Sequence, residues 1–451
     1  MSRPRSNENY DLVVLGGGSA GLVAAVVGAS LGAKTVLIER DRLGGDCTWH
    51  GCIPSKTLLH VASVAASARS AGRFGIDAGE PSVHWGRVRE WLERTRQTIF
   101  EQADSPRALA QYGVRTLAGN GRFLDAKRLH VEGSTSDVVL TARRFMICTG
   151  SSPTVLDLTV PHLTSDTIFD MPAMPQRMII VGSGPIGIEL AQAFARLGTS
   201  VHVVSRDSRI LAHDDADHAL ALQIALEREG VRFTFGTEVL DARIAGEERV
   251  VRLTDGCELR ADAILAAVGR TPRVTGFGLE DCGVEVADGA IRVDDRCRTT
   301  VPRIYAAGDV TGPPFFTHAG EEMSKVAVAN ALLHIPRRYD RKRIPWCTFT
   351  APELAHVGLT EATLRSRGIR HQILSFPNDE LDRAVVDGET TGSTKLFVDR
   401  RGRVLGASIL SSRAGEAAAE VALAIAAKLS VTRIADVVHA YPSSGYGPRR
   451  A

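Results

Sequence analysis

The chain has 451 residues, 44% of them hydrophobic and 24% charged, enough to bury two or three domain cores. Its 54 basic and 52 acidic residues leave a formal charge of +2, which gives no electrostatic footing for nucleic acid or an anionic membrane and points to small-molecule partners. Met1 to Tyr10 hold no apolar signal core, no apolar run approaches the ~18 residues of a bilayer span, and the seven cysteines do not form a secreted disulfide framework, so a cytoplasmic protein is expected.

Asp11 to Leu15 reads as a buried parallel strand running into Gly16-Gly17-Gly18-Ser19-Ala20-Gly21, then an Ala-rich helix and the strand Thr35 to Glu39. This is a βαβ unit with the G-x-G-x-x-G turn in place: Gly16 for the turn, Gly18 for the approach of a pyrophosphate to the helix N-terminus, Gly21 for close helix–strand packing. Glu39 ends the second strand, where a carboxylate accepts hydrogen bonds from a ribose.

Gly44-Gly45-Asp46-Cys47-Thr48-Trp49-His50-Gly51-Cys52-Ile53-Pro54-Ser55-Lys56 follows. An ideal helix holds residues five apart at roughly 8 to 9 Å between Cα atoms, beyond the ~7 Å within which two cysteines can be bridged. The segment must bend if Cys47 and Cys52 pair. Gly44, Gly45 and Gly51 supply the freedom, and Pro54 suits the first turn of a helix beginning after Cys52. Two unpaired buried cysteines are the plain alternative, since free cysteine is among the most buried residue types. Trp49 either covers the pair or packs elsewhere. His50 receives no catalytic or metal assignment, because a lone loop histidine is usually solvated or hydrogen-bonded.

An apolar strand from Phe145 ends at Gly150. A second βαβ unit then begins with Met178 to Val181, Gly182-Ser183-Gly184-Pro185-Ile186-Gly187, a helix through Glu189 to Leu197, and the strand Ser200 to Val204. Gly182, Gly184 and Gly187 repeat the roles of the first three glycines. At the offset of Glu39, however, stands Ser205, followed by Arg206. A missing carboxylate beside a guanidinium suits a 2′-phosphate, so this site is expected to prefer NADPH over NADH, with Arg209 a second phosphate candidate.

Another apolar strand, from Ala263, ends at Gly269. Ile304-Tyr305-Ala306-Ala307-Gly308-Asp309 closes on a Gly-Asp pair, a common turn in its own right. From about residue 337 no nucleotide motif appears, and Glu416 to Leu429 reads as a mostly apolar helix of core or interface.

The pattern GGxCxxxGCxPSK is matched throughout by Gly44 to Lys56, and with the two glycine fingerprints it resembles the flavoprotein disulfide reductases, the family of dihydrolipoamide dehydrogenase, glutathione reductase and mercuric reductase. The resemblance covers nearly the whole chain. It implies an α/β fold: two Rossmann-like dinucleotide-binding domains, for FAD and NADPH, plus a C-terminal α+β dimerisation domain. Residues 1–150 and 270–336 would form a discontinuous FAD domain, 151–269 the NAD(P)H domain and 337–451 the interface domain of a homodimer, which Pro345 to Gly358 opens. It further implies electron flow from NADPH through FAD to a redox-active Cys47–Cys52 disulfide and on to a disulfide-type acceptor, small molecule or protein. Cys52 would be the flavin-side, charge-transfer thiol and Cys47 the interchange thiol. Lys56 would serve the flavin, paired with Glu189, and Asp309 would bind its ribityl chain. The strands ending at Gly150 and Gly269 would lead the chain across between the nucleotide domains. His318 falls near the flavin, where the family presents backbone atoms.

The tail departs from the family. Relatives that reduce organic disulfides carry His-x-His-Pro-Thr-x-x-Glu, with the second histidine as acid/base; here the run is His439-Ala440-Tyr441-Pro442-Ser443-Ser444-Gly445-Tyr446. Tyr441 replaces the base, Tyr446 replaces its orienting carboxylate, and His439 holds the first, non-catalytic position. A phenol with a pKa near ~10 is a poor base at neutral pH. Tyrosine here resembles mercuric reductase, yet no cysteine follows Cys347 to deliver mercury and no small metal-binding domain precedes the first fingerprint. Gly445, Gly447 and Pro448 are expected to break the helix that relatives form there. Metal-ion reduction, direct quinone or dye reduction, and a flavin-binding redox sensor are the alternatives to disulfide reduction.

Overall fold

The computed structural model describes residues 7–133 and 137–451; the segment read for a signal peptide lies partly outside the described residues, at 1–6. Contacts divide the chain into two compact units, one of Met1–Pro54, Glu90–Thr154 and Arg270–Arg341, the other of Ser55–Arg89, Val155–Gly269 and Lys342–Ala451.

At the centre of the first unit, Asn7–Leu15 runs parallel between Thr35–Glu39 and Val138–Ile147, and Arg115–Asp125 and Ile304–Ala306 extend the sheet on either side. The second half of Arg115–Asp125 pairs antiparallel with Arg128–Gly133, which pairs antiparallel with Val138–Ile147. Leu12 and Val14 pack against Ala24 and Ala25 of the helix Ser19–Ser30 and Val326 and Ala327 of the helix Thr317–Leu332, whereas Val13 and Leu15 pack against Phe123, Leu129 and Phe145. Both faces are covered, which is why the strand reads as an unbroken apolar run.

In the second unit, Ala263–Ala266, Arg177–Val181, Ser200–Ser205 and Arg232–Phe235 form a four-stranded parallel sheet in that order, beside an antiparallel sheet of Val239–Ala245, Glu248–Leu253 and Glu258–Ala261. Trp85 donates its indole N–H to Met171 O at 2.9 Å and packs on Phe194 at 6.0 Å between ring centroids, fastening residues 55–89 to this unit. Lys342–Ala451 builds a five-stranded antiparallel sheet, ordered Trp346–Thr348, Glu353–Gly358, Val404–Ser411, Ser393–Val398, Gln372–Pro377. The parallel and five-stranded sheets are joined by His218 of the helix Ala216–Arg228, whose ring nitrogens lie 2.7 and 2.8 Å from the hydroxyls of Ser393 and Ser408. Burial pushes its pKa down to about 4, so the imidazole is neutral at physiological pH.

The apolar helix expected from Glu416 runs over Ala414–Ala426, its first turn held by Gly415 N–H donating to Glu353 Oε2 at 2.9 Å. One expectation is overturned at the tail. Tyr446–Arg450 is helical despite Gly447 and Pro448. Pro448 falls in the first turn, where no N–H is required, and Gly447 is needed for contact: a Cβ there would lie 2.6 Å from Thr394 Oγ1.

Candidate active site

Cys47 lies in the short helix Gly45–Trp49, and Cys52 opens the helix Cys52–Ser70 rather than preceding it. The chain turns between them at His50 and Gly51, whose N–H groups both donate to Asp46 O, at 2.9 and 2.6 Å. Gly44 and Gly45 enter the segment with φ of +97° and +57°, values that disfavour other residues. The bend required to bring two thiols together is therefore built from the glycines that flank them.

Both cysteines are thiols in this structure and are hydrogen-bonded to each other. The hydroxyl of Thr317 lies 3.3 Å from Cys52 Sγ and also bonds Cys47, as does Ser19. The hydrogen bond from Cys52 and then burial drive the pKa of Cys47 up. Cys52, at the N-terminus of a 19-residue helix, sits where negative charge is favoured. A single proton shared by the pair accordingly rests on Cys47, with the charge on Cys52. The neighbours of Cys47 are pinned. Thr48 donates to Asp104 Oδ2 at 2.7 Å, and Trp49 donates to Leu43 O at 2.8 Å while packing on Phe100 at 5.3 Å. Trp49 thus serves the core.

The two glycine loops share one geometry. A Cβ on Gly21 would lie 1.8 Å from Gly16 O, and one on Gly187 would lie 2.1 Å from Gly182 O, so helix and turn touch backbone to backbone in both. Gly18 and Gly184 cap the helices Ser19–Ser30 and Pro185–Arg196 with no side-chain hydrogen bond. A Cβ on Gly18 would find only Gly45 Cα within 4 Å, at 3.9 Å, and one on Gly184 would find nothing. Each leaves helix N–H groups facing open space, an anion-binding arrangement.

The strand ends differ as their sequences do. Glu39 Oε2 accepts from Gly17 N–H at 2.6 Å. At the matching place in the second loop, the Ser183 hydroxyl donates to Ser205 Oγ at 2.8 Å. Arg206 is exposed and has no ion pair or hydrogen bond among the described residues. Arg209 is engaged: its guanidinium donates to the carbonyls of Ile210, Leu211, Ala212 and Asp214 at 2.8 to 3.1 Å. Gly150 and Gly269 have φ of +69° and +120° at the strand ends, in open space.

Lys56, one turn along the helix from Cys52, bonds Glu189 Oε2 at 2.7 Å and lies over the Phe349 ring at 4.7 Å. Glu189 Oε1 accepts from Phe349 N–H at 2.8 Å, so both oxygens of this buried carboxylate are used. Asp309 Oδ2 accepts from Ser151 Oγ at 2.5 Å and lies 3.8 Å from Arg270 Nε; burial raises its pKa against those two partners. Arg270 also reaches Asp46 at 3.0 Å. His318 stacks on Phe316 with 5.4 Å between ring centroids.

In the tail, His439 Nδ1 meets Val437 O at 2.9 Å and Nε2 meets Glu420 at 2.9 Å. Tyr441 donates to Asp382 Oδ2 at 2.8 Å, a bond that raises the phenol pKa. The Tyr446 hydroxyl reaches only His439 O, at 3.5 Å, and orients neither side chain.

The family described as pyridine nucleotide-disulphide oxidoreductase matches residues 10–331, and its dimerisation domain matches residues 344–449. The chain belongs to this family. It is 34% identical to a mercuric reductase of Streptomyces lividans over 97% of this chain and 94% of that one. It is 32% identical to a dihydrolipoyl dehydrogenase of Bacillus subtilis, over 96% and 95% respectively. The crystal structure of LpdA from Mycobacterium tuberculosis superposes with a TM-score of 0.92 at 27% identity, each chain covered to 98%. The protein is thus an FAD-dependent oxidoreductase of the pyridine nucleotide-disulphide oxidoreductase family, with the α/β fold and the dimerisation domain of a homodimer. Its residues fit FAD: the uncapped helix end at Gly18, tied to Glu39 through Gly17, is shaped for a dinucleotide. No helix among the described residues is long and apolar enough to cross a membrane.

Four residues of this family member were not evident in its sequence. Thr317 touches both sulfurs but lies far along the chain and carries no pattern. Arg270 follows Gly269, whose glycine alone drew notice, and Asp46 sits inside the cysteine motif at a position the pattern leaves open. Glu420 holds His439 from the interior of an apolar helix, where a lone carboxylate reads as solvent-facing.

Proposed function

We propose that the protein is an NADPH-preferring, FAD-dependent disulfide reductase, working as a cytoplasmic homodimer, that hands electrons from the Cys47–Cys52 pair to a disulfide-type acceptor. The observation that carries this reading is the mutual hydrogen bond of the two thiols at a helix N-terminus, with Thr317 on both sulfurs. Gly16, Gly18, Gly21, Glu39, Gly150, Lys56 and Asp309 would hold FAD, and Gly182, Gly184, Gly187, Gly269 and Arg206 would hold NADPH. On this reading residues 1–150 and 270–336 are the FAD domain, 151–269 the NAD(P)H domain and 337–451 the interface domain. When bound, FAD supplies a two-electron relay between the pyridine nucleotide and the cysteine pair. Toward the acceptor, Cys47 would attack one sulfur of the disulfide as its own proton passes to the other sulfur, which leaves as a thiol. Cys52 then attacks Cys47 Sγ in the mixed disulfide, releasing the second thiol and closing the Cys47–Cys52 bridge. Thr317 and the helix N-terminus hold the charge on Cys52 meanwhile. Arg206 is the exposed cation beside Ser205 and is the favoured phosphate contact, since Arg209 already donates to four carbonyls.

A second reading, reduction of a thiophilic metal ion, is favoured by Tyr441. A phenol is protonated at neutral pH and the hydrogen bond to Asp382 raises its pKa further, so Tyr441 would be a poor proton acceptor in a thiol-disulfide cycle. Metal reduction needs no such base.

The test is a steady-state panel of lipoamide, glutathione disulfide, mercuric ion and a quinone, each with NADPH and NADH. NADPH-driven turnover of a disulfide supports the first reading; turnover of mercuric ion alone selects the second, and of quinone alone overturns both. Arg206→Gln is expected to raise KM for NADPH about tenfold and leave that for NADH within about twofold, the pattern of a lost phosphate contact. Equal effects on the two nucleotides would remove Arg206 from the site.

A further inference from the structure

The residue that precedes Cys47 carries a charge, and that charge is answered from elsewhere in the same unit. Asp46 stands in the helix Gly45–Trp49, accepts the N–H groups of His50 and Gly51 on its carbonyl, and meets Arg270 with its carboxylate at 3.0 Å. A Cβ on Gly51 would lie 2.9 Å from Asp46 Oδ2, which places this carboxylate beside the turn between the two thiols. Arg270 has 8% of its side chain exposed, bonds Ser151 Oγ at 2.8 Å, and lies 3.8 Å from Asp309. One buried guanidinium therefore answers two carboxylates, Asp46 at the dithiol and Asp309 near the first glycine loop.

We propose that Asp46 and Arg270 are positioning residues that set the reactivity of the Cys47–Cys52 dithiol, Asp46 raising the cost of thiolate charge at the pair and Arg270 offsetting it while tying the pair to Asp309. This rests on the reading of Cys47 and Cys52 as the redox centre. A thiolate is the nucleophile in exchange, so its population sets both the rate of attack and the balance between dithiol and disulfide. A carboxylate one residue away disfavours that charge; a guanidinium bonded to the carboxylate restores it. Ser19 and Thr317 also bond the sulfurs, His50 stands between the two cysteines in the chain, and Asp104 is held by Thr48. The positive charge bonded to Asp46 is that of Arg270. The shared cation has a second consequence. A ligand that draws Asp309 away frees Arg270 to bond Asp46 more fully, so occupancy of the first nucleotide site would be felt at the thiols.

The experiment follows the alkylation of Cys47 and Cys52 by iodoacetamide, peptide by peptide, between pH 5 and pH 9 in the reduced holoenzyme and after removal of FAD. It compares wild type, Asp46→Asn, Arg270→Gln and the double variant, with the dithiol–disulfide midpoint measured in a glutathione buffer. Asp46→Asn should speed alkylation at pH 7 about threefold and raise the midpoint. Arg270→Gln should slow alkylation by a similar factor and lower the midpoint. In the double variant the effect of losing Arg270 should shrink. Shifts of the same sign in both single variants, or additive effects, would mean that the ion pair only braces the turn and would overturn the proposal. Midpoints equal to wild type in both would overturn it too. These outcomes leave the redox-centre reading standing, because that reading fails on a different result, the retention of disulfide reduction by Cys47→Ser.

Discussion

Cys47→Ser should abolish NADPH-driven reduction of a disulfide acceptor, by about 10³-fold or more in kcat/KM, while leaving FAD bound and the fold intact. The magnitude follows from removing the attacking nucleophile outright, a loss that no neighbouring group restores. The structure gives a reason to expect an intact fold. Serine differs from cysteine by one atom, and the positions on either side of Cys47 are fixed independently by Arg270 on Asp46 and by Asp104 on Thr48. Cys52→Ser should be equally inactive toward disulfides, and it should also remove the shared proton that drives up the pKa of Cys47. The pH at which Cys47 is alkylated should therefore move down in Cys52→Ser, which distinguishes the two thiols without any acceptor present. Disulfide reduction that survives Cys47→Ser would end the dithiol route, and quinone reduction that survives it would show an acceptor reached without the pair.

The second large effect is expected at the glycines. Gly21→Ala places a Cβ 1.8 Å from Gly16 O, and the atom on the other side is backbone, which cannot rotate away. Helix Ser19–Ser30 must lift from its strand, at a cost on the order of 3 kcal/mol. The expected product is colourless protein of lowered thermal stability, measured as absorbance at the flavin band per protomer and as Tm. Gly187→Ala makes the same collision, 2.1 Å from Gly182 O, in the second loop. It should keep its flavin and weaken NADPH binding at least about tenfold by calorimetry. Two substitutions of the same chemistry would then silence two different cofactors. Retention of full flavin content by Gly21→Ala, or of NADPH affinity by Gly187→Ala, would show that the loop concerned binds no dinucleotide.

The parts of the molecule that could be read in the sequence are those where one backbone requirement allows one residue type. Gly21 and Gly187 are visible because nothing else fits against a carbonyl oxygen, and Leu12 to Leu15 are visible because a strand covered on both faces needs an unbroken apolar run. The cysteine segment is visible for the same reason, its glycines marking the bend. What escaped is long-range and polar. Thr317 reaches Cys52 from 265 positions along the chain, a contact that no local pattern announces. Arg209 read as a phosphate ligand because guanidinium chemistry suits one, but the loop that follows turns four carbonyls toward it. The helix Tyr446–Arg450 defied its composition because Gly447 serves packing against Thr394 there, and helix propensity yields to a tertiary contact of that closeness.

The unlike tethers of the two glycine loops, Gly17 to Glu39 in one and Ser183 to Ser205 in the other, bear on how a single chain sorts two cofactors that share an adenosine diphosphate half. If the first loop holds the flavin as proposed, a 2′-phosphate arriving there would meet the Glu39 carboxylate and be disfavoured. At the second loop the matching side chain is the neutral Ser205, so on the proposed assignment an unphosphorylated ribose would forgo a contact with Arg206 but would meet no carboxylate at that position. On the proposed assignment, discrimination between the two sites would run in one direction: free NADH would compete with NADPH at the second loop, whereas NADPH would meet the Glu39 carboxylate at the first.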